Sequence, residues 1–174
     1  LLNSVHDAET TCATLPDRTL WCWGANADGA LGAPGDPLPP TRVALSHDWV
    51  EVSGAHGHCA LRPDRALFCW GPDHAVPSVD STIEPIQVEP FIAWARSIAG
   101  GQHYCALAQD GGLYCWGAND RGQLGLGDDV ARTAPTRLAG TWAVASVGLG
   151  HTCAIGVDGS LWCWGQAGQG QLGF

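Results

Sequence analysis

Residues 153–165 read Cys-Ala-Ile-Gly-Val-Asp-Gly-Ser-Leu-Trp-Cys-Trp-Gly, and closely similar segments occur four times along the chain. Each copy carries two cysteines ten positions apart, at 12 and 22, 59 and 69, 105 and 115, and 153 and 163. Successive copies start 47, 46 and 48 residues apart (59−12, 105−59 and 153−105). Self-similarity at such a period is typical of repeat architectures, so the chain is interpreted as an array of one structural unit.

Other columns of the repeat are equally regular when the copies are aligned on the first cysteine. Ala follows it directly, Asp comes five positions later and Leu comes eight positions later in all four copies. Each copy then closes on an aromatic residue, Cys, Trp and Gly: Trp21-Cys22-Trp23-Gly24, Phe68-Cys69-Trp70-Gly71, Tyr114-Cys115-Trp116-Gly117 and Trp162-Cys163-Trp164-Gly165.

About four short antiparallel strands are predicted for each unit. Asp110-Gly111 and Asp158-Gly159 supply hairpin-turn residues between the two cysteine strands, with Gly adopting the positive φ that such turns require. Arg18 and Arg65 replace that Gly in the first two units, so the turn there is either of another type or strained. Further strands are predicted at Pro-led segments (Pro40 to Val43, Pro85 to Val88, Pro135 to Leu138) and at Trp-led segments (Trp49 to Val52, Trp94 to Ile98, Trp142 to Val147).

Alternation along the cysteine strands indicates the architecture. In Leu161-Trp162-Cys163-Trp164, Leu and Cys point to one face and both Trp side chains to the other, so neither face is polar. Such a strand must be covered on both sides, and neighbouring copies of the same sheet can cover it. Four-stranded sheets stacked face to face form a propeller, which is favoured over a flat solenoid.

The chain resembles a known family at this point. Three runs, His151 to Ile155, Asp158 to Gly165 and Gly122-Gln123-Leu124-Gly125, are similar to the regulator-of-chromosome-condensation repeat, and more closely to its cysteine-bearing bacterial variant. The resemblance implies a seven-bladed propeller that serves mostly as a protein-interaction platform. The founding member is a nucleotide exchange factor that also binds chromatin, a role that the acidic balance of this chain does not favour.

The predicted fold is therefore all-β: a single partial propeller over 1–174 with blades at 1–43, 44–88 and 89–138 and an incomplete blade at 139–174. Seven units of about 47 residues would need about 329 residues (7 × 47), so the chain cannot close such a ring alone. Either it belongs to a longer chain, which is favoured, or separate chains complete the ring. In both cases a terminal blade is expected to expose an apolar, Trp-bearing face that requires a partner.

The eight cysteines are predicted to form four disulfides within hairpins, because directly opposed residues of antiparallel strands can be bridged. The pairs are Cys12–Cys22, Cys59–Cys69, Cys105–Cys115 and Cys153–Cys163. Zinc is the alternative, although no Cys-x-x-Cys pair occurs. Disulfides indicate an extracellular or periplasmic location. The uncharged N-terminus does not resemble a signal peptide, so a mature form is expected.

Composition excludes several classes of function. The net charge is −9, from 17 acidic residues against eight basic ones, so no nucleic acid and no anionic membrane surface is expected as a partner. All eight basic residues are Arg, which excludes mechanisms that need a lysine. No apolar run approaches the length of a membrane helix, so no membrane insertion is expected.

Histidines and two loop residues are weaker candidates for function. His103 and His151 occupy the same repeat column, where a structural hydrogen bond is favoured over a ligand role. His56-Gly57-His58 could chelate a metal, but no metal site is predicted. Asp73 and His74 lie in the divergent loop of the second unit and are the candidate partner-binding residues.

Acidic loops and a glycine motif are the remaining candidates. Asp120, Asp128 and Asp129 crowd one Gly-rich loop, and Asp28 and Asp36 crowd the matching loop. Calcium binding is conceivable there, but the spacing is not that of an EF-hand loop and solvated turn carboxylates are favoured. Residues 168–173 match Gly-x-Gly-x-x-Gly, but the dinucleotide fingerprint also requires a helix next, and they are interpreted as the turn of the repeat. No cofactor is predicted.

The tryptophans are expected to serve mainly in packing. Two columns are assigned to the core: Trp23, Trp70, Trp116 and Trp164 in one, and Trp21, Phe68, Tyr114 and Trp162 in the other. The protein is therefore predicted to be a secreted, non-catalytic module that binds a protein through propeller loops, or further blades of the same propeller. The alternatives are a carbohydrate-binding module of a longer secreted protein and a structural component of a multi-chain extracellular assembly.

Overall fold

The structure, a computed structural model, describes residues 3–6, 10–26, 29–43, 48–54, 57–72 and 82–173. These residues form four antiparallel sheets, which we number one to four along the chain. Sheet one contains β1 (Asn3–His6), β2 (Thr10–Thr14), β3 (Leu20–Gly24) and β4 (Leu38–Val43); sheet two contains β5 (Glu51–Gly54), β6 (His58–Leu61), β7 (Leu67–Gly71) and β8 (Thr82–Val88); sheet three contains β9 (Trp94–Ala99), β10 (His103–Ala108), β11 (Leu113–Gly117) and β12 (Arg132–Arg137); sheet four contains β13 (Trp142–Val147), β14 (His151–Gly156) and β15 (Leu161–Gly165). None of these described segments is a helix that could span a membrane.

Each sheet is a simple meander in which strands pair in chain order. The first strands of consecutive sheets contact one another, and the Ser53 hydroxyl on β5 donates to the Ser97 hydroxyl on β9 at 3.0 Å. The sheets therefore share a centre formed by their first strands, and β4, β8 and β12 lie at the outer edge. This arrangement confirms the predicted partial β-propeller and not the flat solenoid.

The cysteines of each unit lie directly opposite one another on the second and third strands of one sheet. All four predicted disulfides are present, with Cα atoms 4.1 Å apart in each pair. No cysteine remains free, so the zinc alternative is wrong.

The two faces of each sheet differ in a constant way. We call the side that carries the disulfide and the repeated leucine the Cys–Leu face, and the opposite side the Trp–Ala face. In the core between sheets one and two, Cys12, Leu20 and Cys22 pack with Ala60 and Trp70 of the next sheet. The same pairing of faces forms the cores between sheets two and three and between sheets three and four.

The assignment of both aromatic columns to the core is only partly right. Trp70 and Trp116 are completely buried, but Trp23 and Trp164 are half-buried. In the second column Phe68 is buried, Trp21 and Tyr114 are half-buried, and Trp162 is 59% exposed. The difference depends on neighbours: β15 has no fourth strand beside it in the described sheet, so nothing covers the outer side of Trp162.

Candidate interaction surface

Four hairpin turns of closely similar hydrogen bonding lie at one end of the sheets, which we call the turn rim. In each turn the aspartate side chain accepts a hydrogen bond from the backbone N–H two residues later, an Asx turn. The four bonds are Thr19 N–H to Asp17 (3.1 Å), Ala66 N–H to Asp64 (3.1 Å), Gly112 N–H to Asp110 (2.9 Å) and Ser160 N–H to Asp158 (3.0 Å). The Asp column of the repeat therefore builds the turn, and hydrogen bonds from Ser160 hold the pKa of Asp158 below its usual range.

The residue after each aspartate adopts the left-handed conformation in all four turns. Gly111 and Gly159 have φ of +79° and +84°, and Arg18 and Arg65 have φ of +65° and +72°. Of the two alternatives for the first two turns, strain is therefore correct, because the backbone conformation is shared and only the residue type differs.

The turns also join neighbouring sheets. The backbone N–H of the tryptophan that leads each of sheets two, three and four donates to a carbonyl in the turn of the preceding sheet. These bonds are Trp49 to Arg18 (2.9 Å), Trp94 to Arg65 (3.1 Å) and Trp142 to Gly111 (2.8 Å). The turn rim is thus a continuous hydrogen-bonded frame, in which the backbones of neighbouring turns are held in fixed relative positions.

Exposed side chains on this frame differ from turn to turn. Phe91, three residues before Trp94, is 98% exposed. Arg62 contacts Asp64 at 3.2 Å and places its guanidinium 5.7 Å from the centre of the Phe68 ring. An open groove between the first two turns is lined by Arg18, Asp48, Arg62, Pro63 and Asp64. Aromatic and Arg side chains are the types enriched in protein interfaces.

A second pocket on the turn rim lies at sheet four. Its aromatic walls are Trp142 and Trp162, and Thr141, Asp158 and Ser160 provide polar groups. The Trp162 indole N–H donates to the Ser160 hydroxyl at 2.9 Å, which fixes the orientation of the ring. An exposed indole beside hydroxyl and carboxylate groups is suited to stacking on a sugar ring.

Two asparagines organise the Gly-rich loops at the opposite end of the sheets, the loop rim. Asn119 is fully buried; its amide donates to the carbonyls of Asp128 (2.9 Å) and Val130 (3.1 Å), and its oxygen accepts from Leu124 N–H (2.9 Å). Asn26 makes the matching bonds in sheet one. Sequence reasoning missed both residues, although the segment Trp-Gly-Ala-Asn occurs at each.

The acidic side chains of these loops bind groups of the protein itself. Asp128 accepts from the Arg132 guanidinium at 2.6 Å and from the Val130 N–H, and these bonds hold its pKa below the usual range. Asp36 accepts from the Asn26 N–H at 2.6 Å, and Asp120 from Gln123. Over the described ranges no three His, Cys, Asp or Glu residues come together as metal ligands.

His103 belongs to a buried hydrogen-bonded junction between sheets three and four. The Thr152 hydroxyl donates to the Gln123 carbonyl at 2.8 Å, so His103 Nε2, which lies 2.8 Å from the same hydroxyl, is the donor to Thr152. Burial, together with the nearby His151, lowers the pKa of His103 to about 4. The junction agrees with the structural hydrogen bond predicted for His103.

The residues predicted to contact a partner, Asp73 and His74, lie outside the described residues, as do His56 and Asp28. The partner contact of Asp73 and His74 therefore stays a prediction. What the described part of the chain brings together instead is the turn rim, with Phe91 and the Arg–Asp groove.

The fold and the repeat define the class of the molecule as a β-propeller, whose described sheets are meanders of three or four strands. Residues 110–155 and 143–171 each match the regulator of chromosome condensation (RCC1) repeat. Residues 110–171 thus carry RCC1 repeats, which confirms the resemblance noted in the sequence. No match was found among curated protein sequences.

Solved structures of similar fold come from several organisms. Human WBSCR16 is 19% identical, with a TM-score of 0.85 over 98% of this chain and 49% of its own. Yeast RCC1 (Prp20), in its structure with Kap60, is 22% identical, with a TM-score of 0.81 over 96% of this chain and 43% of its own. The CRINKLY WD40 ectodomain of the Arabidopsis thaliana receptor kinase ACR4 is 19% identical, with a TM-score of 0.60 over 94% of this chain and 49% of its own. Identities this low show the fold alone, and the chain spans about half the length of these proteins.

Proposed function

We propose that the protein is a non-catalytic module that binds a protein partner through the turn rim, in an extracellular or periplasmic compartment. A propeller of RCC1 type is a protein-interaction fold, which is the general part of this assignment. The assignment of binding to the turn rim is supported by one observation: the rim is a frame of four equivalent turns whose exposed side chains differ. A rigid scaffold with variable surface residues is the usual construction of a binding surface.

The proposed compartment rests on the disulfides. All eight cysteines are paired, and such bonds persist where the environment is oxidising.

The base–hydroxyl pair that the described residues form at the junction of sheets three and four is inaccessible, and we do not propose a catalytic role for it. His103 and Thr152 lie 2.8 Å apart, but both are fully buried and the threonine hydroxyl donates to a backbone carbonyl. A substrate would have to separate two packed sheets to reach this pair.

Partner capture with matched variants tests the proposal. The wild type, Phe91→Ala and Val130→Ala are used to capture proteins from secreted and envelope fractions. Val130 is 58% exposed on the loop rim, so its variant controls for loss of an exposed apolar side chain. The proposal predicts a protein retained by the wild type and Val130→Ala and lost with Phe91→Ala. Retention by all three proteins, or no retained protein at all, would contradict it.

A second candidate function, carbohydrate binding, is favoured by the pocket between Trp142 and Trp162. Glycan-array binding by the wild type, lost in Trp162→Ala, would support it. Trp21→Ala is the matched control, since Trp21 occupies the same repeat column and also donates to a turn hydroxyl, that of Thr19 at 2.9 Å. Absence of glycan binding by the wild type would exclude this alternative.

A further inference from the structure

A second set of backbone hydrogen bonds joins the turns of the turn rim to the segments that lead into the sheets, and one of these bonds is missing. At sheet three the Gln109 N–H donates to the Ala93 carbonyl at 2.9 Å. At sheet four the Val157 N–H donates to the Thr141 carbonyl at 3.1 Å. The repeat places Pro63 in the column of the two donors, and proline has no N–H. The bond therefore cannot form at sheet two.

The acceptor of the missing bond is the backbone carbonyl of Asp48. This residue directly precedes Trp49, the tryptophan that leads into sheet two, and so matches the acceptors of the other two junctions. The Trp49 N–H still donates to the Arg18 carbonyl at 2.9 Å, which keeps the segment in the position of its equivalents. Among the residues that the structure describes, none donates a hydrogen bond to the Asp48 carbonyl. An exposed residue of the rim thus carries a backbone acceptor without a donor.

The Arg–Asp groove, to which Asp48 contributes, also contains a guanidinium without a partner. The groove is open and has a volume of about 330 Å³, at the lower end of the range for ligand sites. Arg62 is paired with Asp64 at 3.2 Å. Arg18 is exposed and forms no ion pair with any residue of the described ranges. The groove therefore offers one free cation and one free backbone acceptor.

The backbone of Arg18 provides a second observation that points to a ligand. Its φ is +65°, whereas Gly111 and Gly159 occupy the equivalent positions in the third and fourth turns. A residue with a Cβ is strained in this conformation, and strain of this kind is concentrated at sites that hold ligands. The chain thus keeps a guanidinium beside the groove at a position where glycine would be more stable.

We propose that the groove binds an acidic segment of the protein partner. A backbone N–H of that segment donates to the Asp48 carbonyl and replaces the bond that Pro63 cannot make. The carboxylate of its Asp or Glu side chain accepts two parallel hydrogen bonds from the Arg18 guanidinium. A single acidic residue supplies both groups, which fits the small size of the groove. This inference rests on the proposed function and names the chemistry of the partner segment.

Titration of a short peptide into the isotope-labelled protein, followed by nuclear magnetic resonance, tests the proposal without an identified partner. The probe acetyl-Gly-Glu-Gly-amide is expected to bind with a dissociation constant of about 1–10 mM and to shift the amide signals of Asp48, Trp49 and residues 62–66. The neutral probe acetyl-Gly-Gln-Gly-amide is expected to bind about tenfold more weakly, because its amide lacks the charge that pairs with Arg18.

Four variants separate the two contacts from the rest of the rim. Arg18→Gly removes the guanidinium and is expected to weaken binding of the Glu peptide about tenfold. Pro63→Gln restores the N–H that Gln109 supplies at sheet three, so the Asp48 carbonyl is occupied and binding weakens by about the same factor. Arg65→Gly is the matched control, because it removes the same charge and strain outside the lining of the groove. Asp48→Asn keeps the carbonyl and should bind the peptide at least as tightly as the wild type.

The outcomes distinguish this inference from the proposed function. No binding of the Glu peptide, equal binding of both peptides, unchanged binding in Arg18→Gly or Pro63→Gln, or an equal loss in Arg65→Gly would overturn it. Tighter binding of glucuronate than of the Glu peptide would also overturn it, since the groove would then be a site for a sugar acid. In each of these cases a captured partner that depends on Phe91 would still support the proposed function. Melting temperatures no lower than that of the wild type are expected for Arg18→Gly and Pro63→Gln, so weaker binding would not reflect unfolding.

Discussion

Arg18 and Arg65 lie where the third and fourth turns have glycine, and their backbones are left-handed. A residue with a Cβ pays about 1–2 kcal/mol in that conformation, whereas glycine does not. The strain is retained in two of four equivalent turns, both of which border the Arg–Asp groove of the turn rim. Strain at these positions therefore coincides with the surface to which we assign binding.

Substitutions in both directions test the strain. Arg65→Gly is expected to raise the free energy of unfolding by about 0.5–1 kcal/mol, since relief of strain exceeds the entropy gained by the unfolded chain. Gly159→Ala, whose added Cβ would meet no atom within 4 Å, is expected to lower it by about 1 kcal/mol. Denaturant unfolding with the disulfides intact measures both. Equal stability of all three proteins would show that the conformation carries no strain.

His103 makes stability depend on pH. Its pKa is about 4 in the folded protein and 6.5 when exposed, so the unfolded chain binds more protons between these values. Stability from this group is complete above pH 6.5 and is lost as the pH falls towards 4, by about 2 kcal/mol at pH 5.

The variant His103→Gln isolates that contribution. The difference in unfolding free energy between pH 7 and pH 5 should shrink by about 2 kcal/mol in the variant relative to the wild type. An unchanged pH dependence in His103→Gln would contradict the assignment of a buried neutral imidazole.

Single residues were predictable from the sequence where their role is local. The Asp column predicts a turn because an aspartate can accept a hydrogen bond from the backbone just beyond it, and all four do so. Asn119 was not predicted, because its partners lie 5 to 11 residues away in a loop without regular structure. Its role becomes visible only when the loop has folded around it.

At the scale of elements, the Gly-rich loop of sheet three depends on Asn119. Asn119→Ala leaves the Leu124 N–H and two carbonyls without their partner and should cost about 2–4 kcal/mol. Hydrogen exchange should accelerate over 118–131 and remain unchanged over 29–37, where Asn26 serves as the internal control. Acceleration in both loops would point to global rather than local loss of stability.

The disulfides allow a comparison at constant loop length. Each closes a loop of the same sequence separation, 10, so the effect on unfolded-chain entropy, about 2–3 kcal/mol, is the same for all. Replacing both Cys105 and Cys115 by Ala should cost about 1–2 kcal/mol more than the same change at Cys153 and Cys163, because only the first pair is fully buried. Denaturant unfolding of the two double variants measures the difference, and equal losses would contradict the burial.

Most strands could be predicted because their sequence patterns repeat from unit to unit. The strand β1 could not be predicted, because its sequence does not follow the repeat. The first strands of sheets three and four begin at Trp94 and Trp142, and Trp49 lies just before β5, but β1 reads Asn3-Ser4-Val5-His6. It forms because it pairs with β2, in the register of Val5 opposite Cys12. Pairing with a neighbour, not its own sequence, therefore determines this strand.

At the scale of the whole molecule, the order of the sheets follows from the difference between their faces. A Cys–Leu face packs on the Trp–Ala face of the next sheet at all three junctions, which gives the array one direction. Alternation in the sequence predicts two apolar faces on each sheet, but not which face meets which. The exposure of Trp162 could likewise not be deduced, since it depends on the strands beside β15.

The directional packing is tested most directly by nuclear Overhauser effects from the Trp70 indole proton. Trp70 belongs to sheet two, and its N–H donates to the Ala30 carbonyl of the first unit at 3.0 Å, in a core shared with Val43. We predict effects from this proton to Ala30 and to the Val43 methyl groups, and slow exchange with solvent compared with the exposed Trp162. Absence of these effects, with exchange as fast as that of Trp162, would contradict the stacking of Cys–Leu on Trp–Ala faces.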